Sequence, residues 1–269
     1  MSQSTSSTGR TRGRLCLVTA AEIEFNHIVK ALRPEALIGR ELDTRMCRAN
    51  LSGKYGKRPI VVLQSEMGAP NFASRLLRHL AIFPYDGLVV IGLAGALAPE
   101  LKAGDIVLYE QCLYANNAKP KHRDEYQTLA CDAAFASWIE NALAAQNLKA
   151  QRINGVAASE VITQASDKAA LHALTQAAAV DMESGIVAEA LKDHPLSLAL
   201  PVVTLRIIVD EAAQNLPAFN EGLRADGLYD VRKMLRVLAA RPADSAKFLW
   251  RLRRATRQLR AVTRALLHA

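Results

Sequence analysis

Carboxylates stand at three places in the sequence where an apolar run ends. Glu24 follows a first apolar run, Glu183 lies two residues beyond Asp181, and Asp210 closes a nearly continuous apolar segment. A carboxylate can hold hydroxyl groups by accepting hydrogen bonds, and a protonated carboxyl can give a proton to a leaving group. The alternatives are structural, because Asp181 and Asp210 can cap a helix or turn, while Glu24 and Glu183 suit a first helical turn.

Two glycines accompany these acids. Gly92 and Gly95 form a loop after another apolar run, where a bare backbone could approach a ligand closely or simply serve the turn. The loop is not a dinucleotide fingerprint, because no third glycine opens a helix and Pro99 intervenes. The sequence has no Gly-x-Ser-x-Gly elbow, no Walker loop and no histidines at metal-ligand spacing, so we expect no metal site.

The composition predicts one large domain. The chain has 269 residues, half of them apolar, and a net charge of +8, much of which lies after Ala240. Four scattered cysteines favour a reducing cytoplasm over a disulfide framework or a zinc site, and no run reaches the roughly 20 apolar residues of a membrane span. We predict a disordered tail over 1–14, an α/β domain over 15–240 and a basic amphipathic helix over 241–269.

Strand-like and helix-like segments alternate along the predicted domain. This alternation is typical of a three-layer α/β/α fold with a mixed, mostly parallel central sheet, because parallel neighbours need crossover helices. Ligands in such folds gather at the carboxyl ends of strands, where Glu24, the glycine loop, Glu183 and Asp210 all fall. The predicted strands are Leu15–Thr19, Pro59–Leu63, Leu88–Ile91, Asp105–Tyr109, Ile153–Ala158 and Pro201–Val209.

Three segments together resemble a known family. Gly92–Val107, Val180–Ser184 and Leu205–Asp210 are similar to the signature segments of the purine nucleoside phosphorylase and methylthioadenosine nucleosidase superfamily. Thr19–Phe25 matches the first strand-to-helix turn of that family. A narrower likeness, over Ala158–Lys168 and the arginine-rich tail, is to the branch of nucleoside phosphorylases associated with hopanoid synthesis.

The resemblance implies a role for each candidate residue. Asp210 would protonate the departing base, and Glu183 would accept hydrogen bonds from the ribose hydroxyls while Met182 packs on the sugar. In the nucleosidases, the residue that matches Glu24 is a general base on water. The remaining substrate-binding candidates are the backbone around Gly92 and Gly95 and, near the base, Ile162.

The implied reaction is cleavage of the N-glycosidic bond of an adenine nucleoside, with release of adenine. The branch likeness favours phosphorolysis of adenosylhopane, with inorganic phosphate as co-substrate and no cofactor. Arg45, Arg48 and Ser65 are candidate phosphate donors, and the two arginines are equally well ordinary surface charges. The alternatives are a hydrolytic methylthioadenosine or adenosylhomocysteine nucleosidase and, outside the enzymes, a basic membrane-binding or nucleic-acid-binding module.

The C-terminal segment combines two faces. Its arginines lie around one side of a helical pattern, and its apolar residues recur at steps of three and four on the other. We expect peripheral contact of 243–269 with the inner membrane face or, alternatively, packing on the protein or on a second subunit. We also expect a homodimer and no nucleic-acid partner. The apolar positions are Phe248, Leu252, Ala255, Leu259, Val262 and Leu266.

Overall fold

The chain is seen here in a computed structural model. The structure describes residues 14–32, 36–49, 59–65, 71–115, 120–192, 194–195, 200–217, 233, 236, 239–240 and 242–268. The predicted N-terminal tail therefore lies, apart from its last residue, outside the described residues.

Ten strands and six α-helices make up the described part of the chain. The strands are β1 (Leu15–Thr19), β2 (Ala36–Glu41), β3 (Thr44–Ala49), β4 (Ile60–Gln64), β5 (Gly87–Ala96), β6 (Ile106–Tyr114), β7 (Gln127–Ala130), β8 (Ala150–Ala157), β9 (Ala179–Asp181) and β10 (Val202–Asp210). The helices are α1 (Glu22–Leu32), α2 (Phe72–Ile82), α3 (Ala133–Ala144), α4 (Ala165–Thr175), α5 (Ser184–Leu191) and α6 (Pro242–His268), with a 3₁₀ turn at Arg123–Glu125.

The central sheet is open at one edge and closed on itself at the other. From the open edge the order is β2, β3, β4, β1 and β5, and β7 pairs with β6. Strand β5 then pairs with β10 along most of its length and with β9 at Gly95 and Ala96. Because β10, β6, β8 and β9 also pair in turn, these four strands and β5 close a small barrel.

Alternate residues of the central strands face different helices. Leu15 and Leu17 of β1 pack in the cluster that includes α1, α3 and α6, whereas Cys16 and Val18 pack with α2 and α5. The predicted three-layer α/β/α fold with a mixed sheet is therefore confirmed. Parallel and antiparallel pairings among the described strands are equal in number, five of each, so the parallel pairs are not the majority that we expected.

The stretch between the first helix and the second predicted strand forms a hairpin that the sequence did not indicate. Strands β2 and β3 are antiparallel and are joined by Leu42 and Asp43, whose φ angles are 48° and 60°. Positive φ at both central residues is the geometry of a tight hairpin turn, which usually carries Asn-Gly or Asp-Gly. Neither pair is present here, so the usual hairpin signal was missing.

The C-terminal helix α6 is part of the core. Ala255, Leu259, Val262 and Leu266 are buried in the cluster that contains α1 and α3. Packing on the protein therefore accounts for most of its apolar face. Leu249 and Trp250, in the first half of the helix, are 48% and 62% exposed. None of the helices in the described part of the chain is both long enough and apolar enough to cross a membrane.

Candidate active site

A cavity of about 360 Å³ lies at the carboxyl ends of β1, β5, β9 and β10. Glu24, Gly95, Met182, Glu183 and Asp210 all line it, as does Ile162. Six of the candidate residues that the sequence suggested thus meet at one place. They converge because each follows or ends a strand of the same sheet, or lies in a segment packed against those strand ends.

The charged side chains that line the described cavity are all carboxylic acids, and the rest of its wall is mainly apolar. The acids are Glu24, Glu160, Asp181, Glu183 and Asp210. Apolar side chains of the wall include Leu93, Val161, Val209, Leu216, Phe248 and Leu252. Such a cavity suits a neutral ligand with hydroxyl groups and a flat apolar part.

Asp210 ends β10 and is almost completely buried, at 3% exposure. Its Oδ2 accepts a hydrogen bond from the ammonium of Lys168, which is fully buried. Burial raises the pKa of the Asp210 carboxyl, and the positive charge of Lys168 opposes that rise. The carboxyl also lies against Gly95, where a Cβ atom would be 3.2 Å from Oδ2.

Glu24 is held by the turn that precedes α1. Its Oε2 accepts hydrogen bonds from the hydroxyl of Thr19 at 2.8 Å and from the backbone N–H groups of Ala20 and Ala21 at 3.2 and 3.0 Å. Its Oε1 accepts from the N–H of Leu93 at 2.6 Å. These bonds tie the first strand-to-helix turn to the glycine loop and leave Oε1 with a lone pair for a ligand.

Arg206 lies beneath the cavity and joins the acids. The side chain is fully buried within β10, and its Nη2 donates to Asp181 Oδ1 at 2.9 Å and contacts Glu183 Oε2 at 3.2 Å. Nε and Nη1 have no hydrogen-bond partner in the described structure. Burial disfavours the charged guanidinium, but Asp181 and Glu183 more than offset this, so the pKa of Arg206 is raised.

Glu183 has a strongly perturbed carboxyl. Burial, together with the nearby charges of Glu24 and Asp181, raises its pKa to about 8, against the opposing effect of Arg206. Asp181 has a different surrounding, because its Oδ1 accepts from the backbone N–H groups of Glu183 and Ser184 at 2.9 and 2.8 Å. Asp181 therefore fixes the start of α5 and holds Arg206 at the same time.

Gly92 is outside the cavity lining but is required beneath it. A Cβ atom there would be 2.6 Å from both Arg206 Nη1 and Glu24 Oε1. Only a residue without a side chain allows these two groups to occupy the space where its Cβ would lie. Gly92 thus belongs to the support of the site, whereas Gly95 lines it.

The candidate phosphate donors lie away from this cavity. Arg45 of β3 donates to Gln64 at 3.1 Å and to Asn26 at 3.3 Å, and its guanidinium lies 4.5 Å from the centre of the Phe25 ring. Ser65 donates to the carbonyl of Thr19 at 3.3 Å. Arg48 pairs with Glu41. The hairpin β2–β3 and the end of β4 position Arg45 and Ser65 at the edge of the turn that carries Glu24, whereas Arg48 lies farther from that turn, 5.3 Å from the centre of the Phe83 ring.

The two cations that pair with the acids of the site, Arg206 and Lys168, were not among the sequence candidates. Arg206 had a usable signal, because a charge inside the otherwise apolar run of β10 has to be paired when it is buried. Lys168 had no such signal in the sequence, because it lies in a polar stretch with a helical pattern, where a lysine is a common residue.

Solved structures that are similar to this chain include nucleosidases and a futalosine hydrolase. The 5′-methylthioadenosine/S-adenosylhomocysteine nucleosidase of Neisseria meningitidis is 16% identical, with a TM-score of 0.68, and the alignment covers 95% of this chain and 98% of that one. The corresponding nucleosidase of Campylobacter jejuni is 16% identical, with a TM-score of 0.62, and the alignment covers 91% of this chain and 99% of that one. The futalosine hydrolase of Helicobacter pylori is 14% identical, with a TM-score of 0.64, and the alignment covers 93% of this chain and 97% of that one. At this identity the likeness concerns the fold.

The family is shown by the sequence itself. Residues 14–268 match the profile of the Phosphorylase superfamily, and the chain belongs to that superfamily. The predicted membership in the group of nucleoside phosphorylases and nucleosidases is thereby confirmed at superfamily level. These comparisons do not separate the hopanoid-associated branch from the others.

Proposed function

We propose that the protein cleaves the N-glycosidic bond of an adenine nucleoside and releases adenine. The observation that carries the proposal is that Asp210, Glu183 and Glu24 line one small, otherwise apolar cavity. An acid for the leaving base, an acceptor for the sugar and an oxygen for the nucleophile are the three groups that this reaction uses.

Each group has a defined task in the proposed reaction. As the bond from C1′ to N9 breaks, its electron pair moves into the purine, and Asp210 gives its proton to N7, so that neutral adenine leaves. Glu183 accepts hydrogen bonds from the ribose hydroxyls and favours the positive charge that develops on the sugar. Met182 packs on the sugar, and Ile162 contacts the base.

The surroundings of the nucleophile favour water. The charged side chains of the described cavity wall are carboxyls, and a phosphate dianion would be repelled by them. Glu24 Oε1, bonded to the N–H of Leu93, can accept a proton from a water molecule that attacks C1′. Hydrolysis is therefore our first candidate for the reaction.

Phosphorolysis is the second candidate, and one observation favours it. Arg45 and Ser65 lie at the turn that carries Glu24, and Arg45 is linked to that turn through Gln64, which donates to Ala20 O at 3.2 Å. A phosphate bound at that edge would have a guanidinium and a hydroxyl as donors.

The cavity mouth suggests the kind of nucleoside. Phe248 and Leu252 of α6 line the cavity together with Ile23, and Ile23 is itself 38% exposed. We therefore propose a large apolar substituent at the 5′ position of the ribose, for which adenosylhopane is the leading candidate and methylthioadenosine the smaller alternative. Burial of apolar substituent surface against these side chains would stabilise the complex by roughly 25 cal/mol per Å².

Substrate profiling tests the reaction. Purified protein is incubated with adenosine, methylthioadenosine and adenosylhopane, with and without phosphate, and adenine and the sugar product are separated by chromatography. A sugar with a free hydroxyl at C1′, formed without phosphate, supports hydrolysis, whereas a sugar 1-phosphate formed only with phosphate supports phosphorolysis. Asp210→Asn should lower the rate by about 10²–10⁴-fold, while the exposed control Asp86→Asn should not. No adenine release by the wild-type protein would refute the proposal.

We further propose that the exposed part of α6 contacts an anionic membrane surface. Leu249 and Trp250 are exposed beside Arg253, Arg254 and Arg257, next to the apolar cavity mouth. An aromatic residue among arginines suits the boundary of an anionic bilayer. Such contact would let a lipid-like substrate enter from the membrane.

Vesicle cosedimentation tests this contact. Because Ala255, Leu259 and Val262 are core residues, a truncated chain would lose its fold, and point substitutions are required. Binding to phosphatidylglycerol vesicles should decrease in Trp250→Ala and in Arg253→Gln with Arg254→Gln, and should be absent with phosphatidylcholine alone. Trp138 is partly buried and stacks on Phe135, which makes it unsuitable as a control, so Ile82→Ala, exposed at the end of α2, serves instead. Equal binding by all variants would contradict the proposal.

A further inference from the structure

Lys168 is a fully buried lysine whose three N–H groups all have acceptors. Its ammonium donates to Asp210 Oδ2, to the carbonyl of Glu211 at 3.0 Å and to the carbonyl of Gln214 at 3.1 Å. Lysine is almost never completely buried unless it is paired. The residue lies in the first turn of α4 and reaches across to the end of β10.

We propose that Lys168 is a positioning residue that orients the carboxyl of Asp210 and stabilises the carboxylate left when the proton of Asp210 has moved to the departing base. This inference rests on the proposed function, because it concerns the acid of that reaction. It adds a residue that lies outside the cavity lining and acts through Asp210.

The geometry separates the two oxygens of Asp210. Lys168 occupies Oδ2, and in the described part of the chain no hydrogen bond engages Oδ1, although the residue lines the cavity. Oδ1 is therefore the oxygen available to carry a proton toward a ligand. A carboxyl held at one oxygen by a fixed ammonium also loses less conformational freedom when it acts on substrate.

The charges explain why a cation is needed there. Asp210 is nearly fully buried at the end of an apolar strand, so its carboxylate is unfavourable without a partner. Before the reaction Oδ1 carries the proton, and Oδ2 accepts from Lys168. When the C1′–N9 pair moves into the purine, the proton passes from Oδ1 to N7, C1′ bonds to the nucleophile, and Asp210 becomes an anion paired with Lys168.

Lys168 also has a structural contact that the test has to separate. Its bonds to Glu211 and Gln214 hold the segment after β10 against α4, and two further bonds support this, from Ala165 N to Asn215 Oδ1 at 2.8 Å and from Leu216 N to Thr163 O at 2.7 Å. Loss of Lys168 could lower activity by displacing the wall at Leu216. A rate loss alone therefore decides nothing.

The pH profile of kcat/KM separates the two roles. Activity falls with rising pH as Asp210 loses its proton, and an opposite charge at this range lowers a carboxyl pKa by about 1–3. In Lys168→Met the alkaline limb should therefore move upward by about 1–3 pH units, with kcat lower by roughly 10-fold because the acid is weaker. Lys168→Gln should move the alkaline limb in the same direction, and this variant replaces Lys168→Met if the methionine variant does not fold.

Lys102→Met is the matched control. Lys102 pairs with Glu211 Oε2 at 3.8 Å and its side chain is 59% exposed, so the change removes a lysine charge that also contacts Glu211 but does not contact Asp210. Its alkaline limb should stay where the wild-type limb is. An unchanged limb in active Lys168→Met would overturn the proposal.

Two further measurements exclude a purely structural effect. 4-Nitrophenyl riboside releases nitrophenolate without needing a proton, so Lys168→Met should retain most of its activity on this compound while losing activity on the adenine nucleoside.

A double-mutant cycle is the second measurement. In the Asp210→Asn background, Lys168→Met should lower the rate by less than twofold, because the carboxyl that Lys168 orients is already absent. Parallel losses on both substrates, or full additivity, would assign Lys168 a structural role. Absence of adenine release by the wild-type protein refutes the proposed function, and the role of Lys168 with it.

Discussion

Replacing Glu183 with glutamine tests the electrostatics of the site directly. Asp181 and Glu183 share a single buried guanidinium, that of Arg206, and the charge of Glu24 lies nearby, so the ionised form of Glu183 is costly. Burial places the pKa of Glu183 at about 8. The folded protein at neutral pH should therefore hold a proton on this residue, and glutamine should imitate that state.

The size of the effect follows from the pKa. A tenfold change in the proton equilibrium corresponds to ~1.4 kcal/mol, and the pKa rises from 4.5 to about 8 on folding. Below pH 4.5 the carboxyl is protonated in both states. Above it the unfolded chain loses the proton while the folded chain keeps it, so the free energy of unfolding falls as pH rises. Between pH 5 and pH 8 this amounts to roughly 4 kcal/mol.

Urea unfolding followed by circular dichroism provides the assay. The free energy of unfolding is measured at pH 5, 6, 7 and 8 for the wild-type protein and for Glu183→Gln, and the difference is taken at each pH. Both proteins contain the same histidines, whose titration cancels in the difference. The wild-type protein should lose stability relative to the variant as pH rises. A constant difference, or one that changes in the opposite sense, would show that Glu183 is ionised when folded and would refute the reasoning.

Three glycine substitutions give further expected outcomes. Gly92→Ala inserts a Cβ atom 2.6 Å from Arg206 Nη1 and Glu24 Oε1, so we expect a loss of about 1–3 kcal/mol in unfolding free energy and a loss of adenine release. Gly155→Ala would place its Cβ 1.9 Å from a neighbouring tyrosine ring, and thermal unfolding should show a larger loss, or soluble expression should fail. Gly39→Ala has no atom within 4 Å of the new Cβ and is the control, with a change within about 0.5 kcal/mol. A cost at Gly39 equal to that at Gly155 would contradict the packing argument.

The convergence of the acids was predictable because it follows from strand direction. Glu24, Glu183 and Asp210 each stand at the carboxyl end of a strand or just beyond it, and strand ends of one sheet meet at one edge. The position of Arg45 was not predictable in the same way. It depends on a hairpin whose turn, at Leu42 and Asp43, lacks the Asn-Gly or Asp-Gly pair that usually marks such a turn.

The partners of the acids depend on long-range contacts, which periodicity does not encode. Arg206 meets Asp181 across 25 positions of the sequence, and Lys168 meets Asp210 across 42. A local pattern can show that a residue is buried, as the apolar run around Arg206 does, but the identity of the opposite group requires the fold. The closure of the barrel by β10, β6, β8 and β9 likewise could not be predicted from local patterns, because it depends on pairing between strands that are distant in the sequence.

The two cations, Arg206 and Lys168, place three of the cavity acids in different chemical states. Arg206 serves Asp181 and Glu183 together, whereas Lys168 serves Asp210 alone. A cation shared by two carboxyls leaves one of them protonated, and a cation paired with one carboxyl favours the anion that remains after proton transfer.

When a nucleoside binds, its ribose hydroxyls would donate hydrogen bonds to Glu183 and so favour loss of the proton that burial retains there. Binding should therefore release a proton below pH 8, and calorimetry of a nucleoside with Asp210→Asn in buffers of different ionisation enthalpy would detect it. No buffer dependence would mean that Glu183 binds the sugar as a neutral acid.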